Sequence, residues 1–421
     1  MSAPPDRTLG PGELALATAA VAACLGGGPA PRDWLPAQGG ARLPGAVRGA
    51  VVALANRVLG ERRRLRCRLG LPDLATPLPP DREAAALVRC AAAARREFPA
   101  DQALAQAPDE HRFAIEHSLP DWLAAALQAD FGHEAAAVAA ALLEAPPRTL
   151  RTNRLRRSGR SALAAELLQA GIATEPTRFA PDGLLVAGEG DLFATAAYRD
   201  GAFEQQDEAS QLGAWLTAPP PRGAVLDLCA GRGGKTLALA ALLQNRGELL
   251  ATDPDPRRLE QLRRRARVAG ATNVRTVLLP DGAWPDLVAD FARRADRVLV
   301  DAPCTGSGSL RRRPEARWRL GLEDFAALLR TQAALLAEVA GHLRPGARLV
   351  YTTCSLLRAE NQDQIHALLA NHPELELVRL AEVLGGAVAA PIADATGTFL
   401  SLRPDRHGCD GFFGAIVRRR R

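Results

Sequence analysis

Two cysteines each follow a short apolar run that has the length of a β-strand. Cys304 follows residues 298–300 in the stretch that begins with Asp301, and Cys354 follows residues 349–352. A buried cysteine is more often a small hydrophobic residue than a nucleophile, but two thiols at strand ends can share one crevice. A thiolate that adds to carbon 6 of a pyrimidine makes carbon 5 nucleophilic enough to accept a methyl group. The cysteine pair therefore indicates covalent chemistry on a pyrimidine, with Asp301 as an acid near ring N3.

The only lysine of the chain, Lys235, lies in a glycine-rich turn. The sequence has 53 Lys and Arg residues, and every one except Lys235 is an arginine. Abundant Ala, Arg, Gly and Pro suggest a GC-rich genome, in which lysine codons tend towards arginine. Because a compact ammonium and a planar guanidinium are not interchangeable, a lysine that remains here indicates a site that needs the ammonium.

The segment 225–236 has the pattern of a strand, a glycine turn and a helix, which allows a ligand to approach the backbone closely. It does not match the dinucleotide fingerprint G-x-G-x-x-G. The end of a P-loop is present as Gly234-Lys235-Thr236, but Cys229 stands where the first P-loop glycine belongs. A P-loop NTPase therefore remains the weaker alternative at this point.

Acidic residues end the next strands in order, which favours S-adenosylmethionine as the ligand. Asp253 ends the second strand and could hold the ribose hydroxyls, Asp281 ends the third and could bond the adenine, and Asp301 ends the fourth. Ligands of open α/β sheets bind at the carboxyl ends of the strands. A single aspartate at a strand end is often only a turn residue, so the series carries the argument.

These residues require a fold that places several strand ends side by side. From residue 216 onward, strand-length apolar runs alternate with helical patterns, which is typical of a parallel sheet covered by helices in a Rossmann-like domain. Residues 1–145 are rich in Ala and Leu at helical spacing and predict an all-α domain. After Pro146-Pro147, residues 146–215 predict a small α/β module. The expected architecture is thus multidomain.

Composition limits the class of protein and its partners. With 47% hydrophobic and 24% charged residues in 421, the chain can bury a large core. We expect a cytoplasmic protein, because no apolar stretch could span a bilayer, no signal peptide begins the chain, and seven cysteines (an odd number) are scattered along it. A net charge of +6 is compatible with a polyanionic partner. No metal is expected, and we expect a monomer.

The motifs together resemble the NOL1/NOP2/Sun family of RNA 5-methylcytosine methyltransferases, and among its members the bacterial enzymes that act on 16S rRNA. The resemblance runs from about residue 118 to the C-terminus. The stretches that carry it are 120–123, 150–153, 206–210, 227–230, 233–236, 301–304, 353–355, 360–361 and 410–413. In the family the cofactor loop usually reads Cys-Ala-Ala-Pro-Gly-Gly-Lys, whereas this chain has Gly231-Arg232 in place of the Ala-Pro pair.

The resemblance implies roles for individual residues. It makes Cys354 the nucleophile and Cys304 the group that releases the product, with Asp301 and Lys235 completing the catalytic set. It places S-adenosylmethionine on a set of residues in the loop and at the strand ends: Cys229, Ala230, Gly231, Arg232, Gly233, Gly234, Lys235, Asp253, Asp281 and Asp301. The helical domain resembles the NusB-like RNA-binding domain attached to the rRNA enzymes.

The implied function is methyl transfer to carbon 5 of a cytosine in 16S rRNA. The cytosine would lie in a single-stranded loop or be flipped out of its helix. Arginine clusters at 62–68, 151–160, 311–313 and 418–421 are candidates for phosphate contacts. The alternative, a catalytically inactive RNA-binding factor for ribosome assembly, draws its support from the Gly231-Arg232 departure.

Overall fold

The computed structural model describes residues 9–71, 74, 76–93, 104, 107–188, 190–280 and 284–421. It forms two compact units, which we call the helical unit and the sheet unit. The helical unit comprises Met1–Ala145 with Ser309–Asp324, and the sheet unit comprises Pro146–Gly308 with Phe325–Arg421. Within the described ranges, no helix is both long enough and apolar enough to cross a membrane.

The described part of residues 9–145 contains helices and turns and no strand, as the sequence predicts. Apolar side chains at helical spacing, such as Val21 and Leu87, meet in one core. The α-helices are α1 (Pro11–Leu25), α2 (Pro31–Ala37), α3 (Gly45–Gly60), α4 (Arg62–Arg68), α5 (Pro80–Ala93), α6 (Asp109–Glu116), α7 (Asp121–Phe131) and α8 (Ala135–Ala141). The NusB-like character of this part stays a prediction.

The segment Ser309–Asp324 belongs to the helical unit, although the sequence places it within the 216–421 domain. Its Arg317 is 2% exposed. The Arg317 guanidinium donates to the backbone carbonyls of Gly60 and Ser118 at 3.1 Å and of Leu142 at 3.2 Å. Carbonyls at helix C-termini lack partners within their own helix, so Arg317 supplies donors that they need. Burial lowers the pKa of Arg317 to about 10.

Two tryptophans strengthen the same attachment. Trp318 Nε1 donates to the carbonyl of Leu59 at 2.6 Å, and Trp122 Nε1 donates to the carbonyl of Leu320 at 3.0 Å. An indole N–H that is buried normally finds such an acceptor. The segment thus both donates a hydrogen bond to the rest of the helical unit and accepts one from it.

A small antiparallel sheet opens the sheet unit, with strand order β2-β3-β1-β4. Leu150, Leu163 and Leu184 are among the side chains of its core. Its strands and helices are β1 (Thr149–Thr152), α9 (Arg160–Gln169), β2 (Thr174–Pro176), β3 (Gly183–Val186), α10 (Ala196–Arg199) and β4 (Phe203–Gln205).

A large sheet of eight strands follows, with order β10-β12-β9-β8-β5-β6-β7 and β11 paired to β12. Its strands are β5 (Ala224–Asp227), β6 (Glu248–Asp253), β7 (Val274–Leu278), β8 (Arg297–Asp301), β9 (Arg348–Thr353), β10 (Leu375–Val378), β11 (Phe399–Leu402) and β12 (Phe412–Arg419). The helices between and around them are α11 (Glu208–Trp215), α12 (Gly234–Leu242), α13 (Pro256–Ala269), α14 (Asp286–Arg294), α15 (Leu322–His342), α16 (Gln362–Asn371), α17 (Leu380–Leu384), α18 (Gly386–Ala389) and α19 (Pro404–His407).

The large sheet is mixed, so the expectation of a parallel sheet is correct only for β5 to β9. Strand β12 runs antiparallel to β9, β10 and β11. Its residues 412–417 are buried. A strand that is buried on both faces reads as a continuous apolar run in either direction, so the hydrophobic pattern predicts the strand but not its orientation.

The topology places one crevice at the centre of the large sheet. From β5 the chain proceeds to β6 and β7 on one side, then returns to β8 and β9 on the other side of β5. The point where the strand order reverses lies between β5 and β8, and ligands of such sheets bind outside the carboxyl ends of the strands there. Asp227, Asp253, Asp301 and Thr353 end the strands on both sides of this point.

Candidate active site

The loop between β5 and α12 depends on two glycines in the left-handed region. Gly231 has φ +55° and Gly233 has φ +86°. A Cβ at Gly233 would lie 2.6 Å from Leu262 Cγ, so α13 packs directly against this turn. A Cβ at Gly231 would meet nothing within 4 Å. The loop is therefore closed on the α13 side and open at Gly231, where a ligand could approach the backbone.

Asp253, at the end of β6, holds this loop in place. Its carboxylate accepts from the N–H of Gly231 at 2.9 Å and from the N–H of Asp255 at 2.9 Å. The side chain is almost fully buried, and each carboxylate oxygen can accept a further hydrogen bond. Asp253 thus lies beside the open part of the loop, as its predicted role requires. Asp281 lies outside the described residues.

The remaining loop residues differ in their exposure. Cys229 is half-buried and Ala230 is buried, whereas the Arg232 side chain is exposed. The carbonyl of Arg232 accepts from Arg265 Nη1 at 2.5 Å, and Arg265 Nη2 donates to Glu204 of β4 at 2.6 Å. Burial raises the pKa of the Cys229 thiol far above its ordinary value, and nearby aspartates add to this effect. The Cys229 side chain packs against a core of the large sheet.

Lys235, in the first turn of α12, forms an ion pair with Asp301 at the end of β8. The distance from Nζ to Asp301 Oδ2 is 2.7 Å, and Nζ lies 5.0 Å from the centroid of the Phe412 ring. The other carboxylate oxygen of Asp301 accepts from the Thr352 hydroxyl at 2.9 Å. The Lys235 side chain is 9% exposed and that of Asp301 is 32% exposed. The aspartate therefore presents a fixed, partly open carboxyl group to the crevice.

The two predicted thiols meet. Cys304 Sγ lies 3.5 Å from Cys354 Sγ, close enough for one thiol to donate a hydrogen bond to the other. The hydrogen bond with Cys354 and burial raise the pKa of Cys304 well above its ordinary value, and the charges of Cys354 and Glu360 act in the same direction. The surroundings of Cys304 thus disfavour its thiolate form.

Glu360, noted in the sequence only as part of a motif, lies between the two cysteine loops. Its carboxylate accepts from Thr305, which follows Cys304, and from Ser355, which follows Cys354. The side chain is 0% exposed. The Glu360 side chain was not predictable as a site residue, because two of its partners, Thr305 and Gln332, are distant in sequence and reach it only in the folded chain.

Asp227 is a second buried carboxylic acid that was not predicted as a site residue. Asp227 ends β5 and accepts from the Thr236 hydroxyl at 2.6 Å through Oδ2. Among the described residues its Oδ1 has no hydrogen-bond partner. Burial raises the pKa of Asp227 to about 7, although the Thr236 hydrogen bond lowers it. This group changes its charge near neutral pH directly below the glycine loop.

The small sheet is bonded to the glycine loop through Arg151 of β1. Its guanidinium donates to the carbonyl of Gly234 at 2.6 Å and to Gln206. Asn153 donates to the carbonyls of Gly201 and Ala269 at 2.8 Å each. The motif at residues 150–153 therefore fixes the small sheet to the loop and to α13, a structural role that the sequence did not indicate.

Several arginines that the sequence suggested for RNA contacts are buried instead. Arg63 donates to Asp121 at 2.7 Å, and Arg66 lies 3.0 Å from Glu83. Arg151 and Arg311 are also buried. Within these clusters, the exposed members are the ones that remain available to phosphate. The pattern misleads because an arginine run on a short helix faces both solvent and core.

The described residues contain no group of three or more His, Cys, Asp or Glu side chains that could hold a metal ion.

Comparison with known proteins identifies the family. A family model described as 16S rRNA methyltransferase RsmB/F matches residues 214–418, and a model of the ferredoxin-like domain of RsmF/B-like methyltransferases matches residues 119–192. The chain is 31% identical over 311 residues to a probable ribosomal RNA small subunit methyltransferase B of Bacillus subtilis, over 73% of this chain and 68% of that protein. The chain belongs to the RsmB/F family of 16S rRNA methyltransferases.

Solved structures agree with this RsmB/F assignment at the level of the fold. The protein described as PH0851 superimposes with a TM-score of 0.80 at 23% identity, over 98% of this chain and 100% of that chain. NSun6 from Pyrococcus horikoshii, solved with SFG, gives a TM-score of 0.59 at 21% identity, over 70% of this chain and 97% of that chain. The RsmB/F assignment explains the glycine loop as part of a methyltransferase, and the P-loop NTPase alternative is therefore wrong.

Proposed function

We propose that this RsmB/F protein transfers a methyl group from S-adenosylmethionine to carbon 5 of a cytosine in 16S rRNA, through a covalent bond between Cys354 and carbon 6. The observation that carries the proposal is the 3.5 Å contact between the Cys304 and Cys354 thiols beside the Lys235–Asp301 pair. A catalytically inactive RNA-binding factor would need neither the thiol pair nor a fixed carboxyl group next to it.

The residues of the crevice fit S-adenosylmethionine. The opening at Gly231 admits a ligand to the loop backbone, and Asp253 retains acceptor capacity beside it. Residues 229–235, Asp253 and Asp301 would hold the cofactor, with Asp281 as a further contact. The structural neighbour NSun6 was solved with SFG, an S-adenosylmethionine analogue. When bound, S-adenosylmethionine supplies an electrophilic methyl group on a sulfonium.

Cys354 and Asp301 activate the base in the proposed reaction. The Cys354 thiolate forms a bond to carbon 6, and the electron pair of the 5,6 double bond moves towards carbon 5. Asp301, fixed by Lys235 and Thr352, holds a proton or hydrogen bond at ring N3 as negative charge develops there. Carbon 5 would then form a bond to the methyl group of S-adenosylmethionine as the bond from that methyl to the sulfonium sulfur breaks and leaves a neutral thioether.

Cys304 completes the reaction by taking the carbon-5 proton. Once Cys354 is bonded to the base, the Cys354 hydrogen bond and charge that raise the pKa of Cys304 are gone. Cys304 can then lose its own proton to solvent and accept the proton from carbon 5. The electron pair of that C–H bond re-forms the double bond, and the bond from carbon 6 to Cys354 breaks.

The remaining assignments concern the RNA. We propose three domains, with residues 1–145 as a NusB-like RNA-binding domain, 146–215 as a small α/β module and 216–421 as the methyltransferase domain. A stacked cytosine cannot reach buried thiols, so the target would be in a loop or flipped out. Exposed arginines such as Arg154 and Arg313 are candidates for phosphate contacts.

Two cysteine variants test the proposal. Cys354→Ala cannot form the adduct, so it should give neither methylation nor a covalent protein–RNA complex. Cys304→Ala should attack and methylate without releasing the RNA, so a complex that survives denaturing gels should accumulate. Cys90→Ala is the matched control, because Cys90 lies in α5 of the helical unit and forms no disulfide bond, and it should behave like the wild type. Bisulfite sequencing of rRNA from a deletion strain identifies the cytosine.

The other outcomes are equally informative. An adduct in Cys354→Ala alone would reverse the two roles. RNA binding without methylation by the wild-type protein, and with no adduct from either variant, would support the inactive assembly factor.

A further inference from the structure

A buried carboxylate, Glu360, connects the two cysteine loops. It lies in the turn Arg358–Glu360 between β9 and α16. Its Oε1 accepts from the N–H of Thr305 at 2.8 Å and from Nε2 of Gln332 at 3.0 Å. Its Oε2 accepts from the Thr305 hydroxyl at 2.5 Å and from the Ser355 hydroxyl. We call Glu360, Thr305, Gln332 and Ser355 the Glu360 clamp.

The clamp holds the chain next to each thiol. Thr305 directly follows Cys304, and Ser355 directly follows Cys354. Gln332 of α15 also donates to the carbonyl of Pro303 at 2.9 Å, so the backbone on both sides of Cys304 is fixed. All four clamp side chains are buried. A change at Glu360 would therefore move both cysteine loops, although the Glu360 side chain itself is fully buried.

A chain of hydrogen-bonded hydroxyl groups leads through the clamp and ends at Glu360. The Ser307 hydroxyl accepts from the N–H of Leu356 at 2.9 Å and lies 3.0 Å from the Ser355 hydroxyl. The Ser355 hydroxyl accepts from the N–H of Leu357 at 3.0 Å and donates to Glu360. Each hydroxyl thus has one donor role and at least one acceptor role, and such chains strengthen their members. The acceptor at the end of the chain is a carboxylate oxygen.

We propose that Glu360 is a positioning residue with two separable effects on the thiol pair. Its reach fixes the distance between Cys304 and Cys354, and its negative charge disfavours the thiolate form of Cys304. This inference rests on the proposed function, because it assigns the purpose of the clamp to the same pair of thiols.

The surroundings of Cys304 support the electrostatic effect. The titratable groups that act on Cys304 are Cys354 and Glu360, and their negative charges both raise its pKa. Tyr351 of β9, behind them, also has a raised pKa, because of burial and then the charges of Cys304 and Glu360. Like charges at close range disfavour ionisation. The carboxylate of the clamp therefore acts against ionisation of Cys304.

Two substitutions at one position separate the effects. Glu360→Gln keeps the shape and reach of the side chain and removes its charge. Glu360→Asp keeps the charge and shortens the side chain by one methylene, so it cannot reach all four donors. Asp363→Asn is the matched control, because it removes a charge on the adjacent helix α16 that pairs with Arg358 at the surface.

Two measurements on the full-length protein, without RNA or cofactor, report the effects. The pH dependence of iodoacetamide labelling, resolved by peptide mass spectrometry, gives the ionisation midpoint of Cys304. The rate at which hydrogen peroxide converts the pair to a disulfide reports their spacing. In that reaction two thiols lose two electrons and two protons, and the peroxide becomes two waters.

The expected results differ between the variants. Glu360→Gln should lower the Cys304 midpoint by about one pH unit and leave the disulfide rate near that of the wild type. Glu360→Asp should leave the midpoint unchanged and slow disulfide formation about tenfold. Asp363→Asn should change neither value. An unchanged midpoint in a folded Glu360→Gln, or an unchanged rate in a folded Glu360→Asp, would overturn the corresponding half of the proposal.

The wild-type protein provides a test that does not depend on the folding of the variants. Its Cys304 should be labelled only at a higher pH than its Cys354, and the opposite order would overturn the inference. Methyl transfer is assayed separately. Failure of the proposed function would appear as an absence of methylation by the wild-type protein, with the labelling results as expected. Failure of the clamp would appear as Glu360 variants that label and oxidise like a wild-type protein that methylates RNA.

Discussion

Replacing Lys235 by arginine preserves the charge of the site and tests whether its shape matters. The ammonium lies 2.7 Å from Asp301 Oδ2, and Phe412 closes one side of its slot with the ring centroid 5.0 Å away. Gly213 of α11 forms another wall, since a Cβ there would lie 3.2 Å from Lys235 Cε. An arginine must fit its larger planar group into the same slot.

The cost follows from the lack of space. Forcing additional atoms into a packed site costs typically 1–3 kcal/mol. Asp301 cannot withdraw freely, because the Thr352 hydroxyl holds its other oxygen at 2.9 Å. The strain therefore displaces the carboxyl group that is proposed to serve ring N3. If all of it appears in the transition state, kcat/KM falls roughly 5- to 150-fold, since about 1.4 kcal/mol corresponds to a factor of ten.

The assay is transfer of a labelled methyl group to a 16S rRNA transcript, with thermal unfolding measured on the same samples. Lys235→Arg should retain its melting temperature within a few degrees, because Asp301 is one-third exposed and part of the guanidinium can reach solvent. Lys235→Met, which lacks the charge, should be at least as inactive. Activity within a factor of two of the wild type in a stably folded Lys235→Arg would refute the argument.

Three further predictions concern pH dependence, packing and the helical unit. The pKa of Asp227 is raised by burial from 3.8 to about 7, so its contribution to stability is present below pH 4 and is lost as the pH rises through about 7. In urea unfolding, the free energy of unfolding of Asp227→Asn relative to that of the wild type should therefore increase between pH 5 and pH 8. Parallel pH profiles of the two free energies would contradict this. Gly213→Ala should reduce methyl transfer, because the added Cβ would lie 2.7 Å from the Phe412 ring. The control is Gly341→Ala, where the added Cβ meets nothing within 4 Å, and it should leave the melting temperature unchanged or raise it. Arg317→Met leaves the carbonyls of Gly60, Ser118 and Leu142 without this donor. It should destabilise the helical unit by about 2–4 kcal/mol. Hydrogen exchange at the ends of α3 and α8 at the wild-type rate would show that these hydrogen bonds contribute nothing to stability.

The strand ends of the site were predictable because they obey local rules. A strand is recognised by its apolar run and its ending by the polar residue that follows, so Asp253 and Asp301 could be placed without any knowledge of distant contacts. The two cysteines follow from the same rule, since neighbouring parallel strands bring their carboxyl ends together. The adjacency of β8 and β9 brings the two cysteine loops together, and the sulfur atoms lie 3.5 Å apart.

The features that were missed depend on contacts between residues far apart in sequence. Gln332 and Thr305 reach Glu360 from other elements, and no periodicity marks them as partners. Arg317 resembles any surface arginine in the sequence and is buried only because carbonyls of three other segments converge on it. The direction of β12 was hidden for a related reason, because the side-chain pattern of a buried strand carries no information on its orientation.

The attachment of Ser309–Asp324 to the helical unit has a consequence for synthesis on the ribosome. The helical unit begins at the N-terminus but lacks Arg317 and Trp318 until residue 324 has been made. The intervening stretch requires roughly 10–30 s at ordinary elongation rates. During this interval the carbonyls of Gly60, Ser118 and Leu142 have no access to the Arg317 guanidinium. The first unit to emerge thus gains its last segment only after four of the eight strands of the large sheet, β5 to β8, have been synthesised.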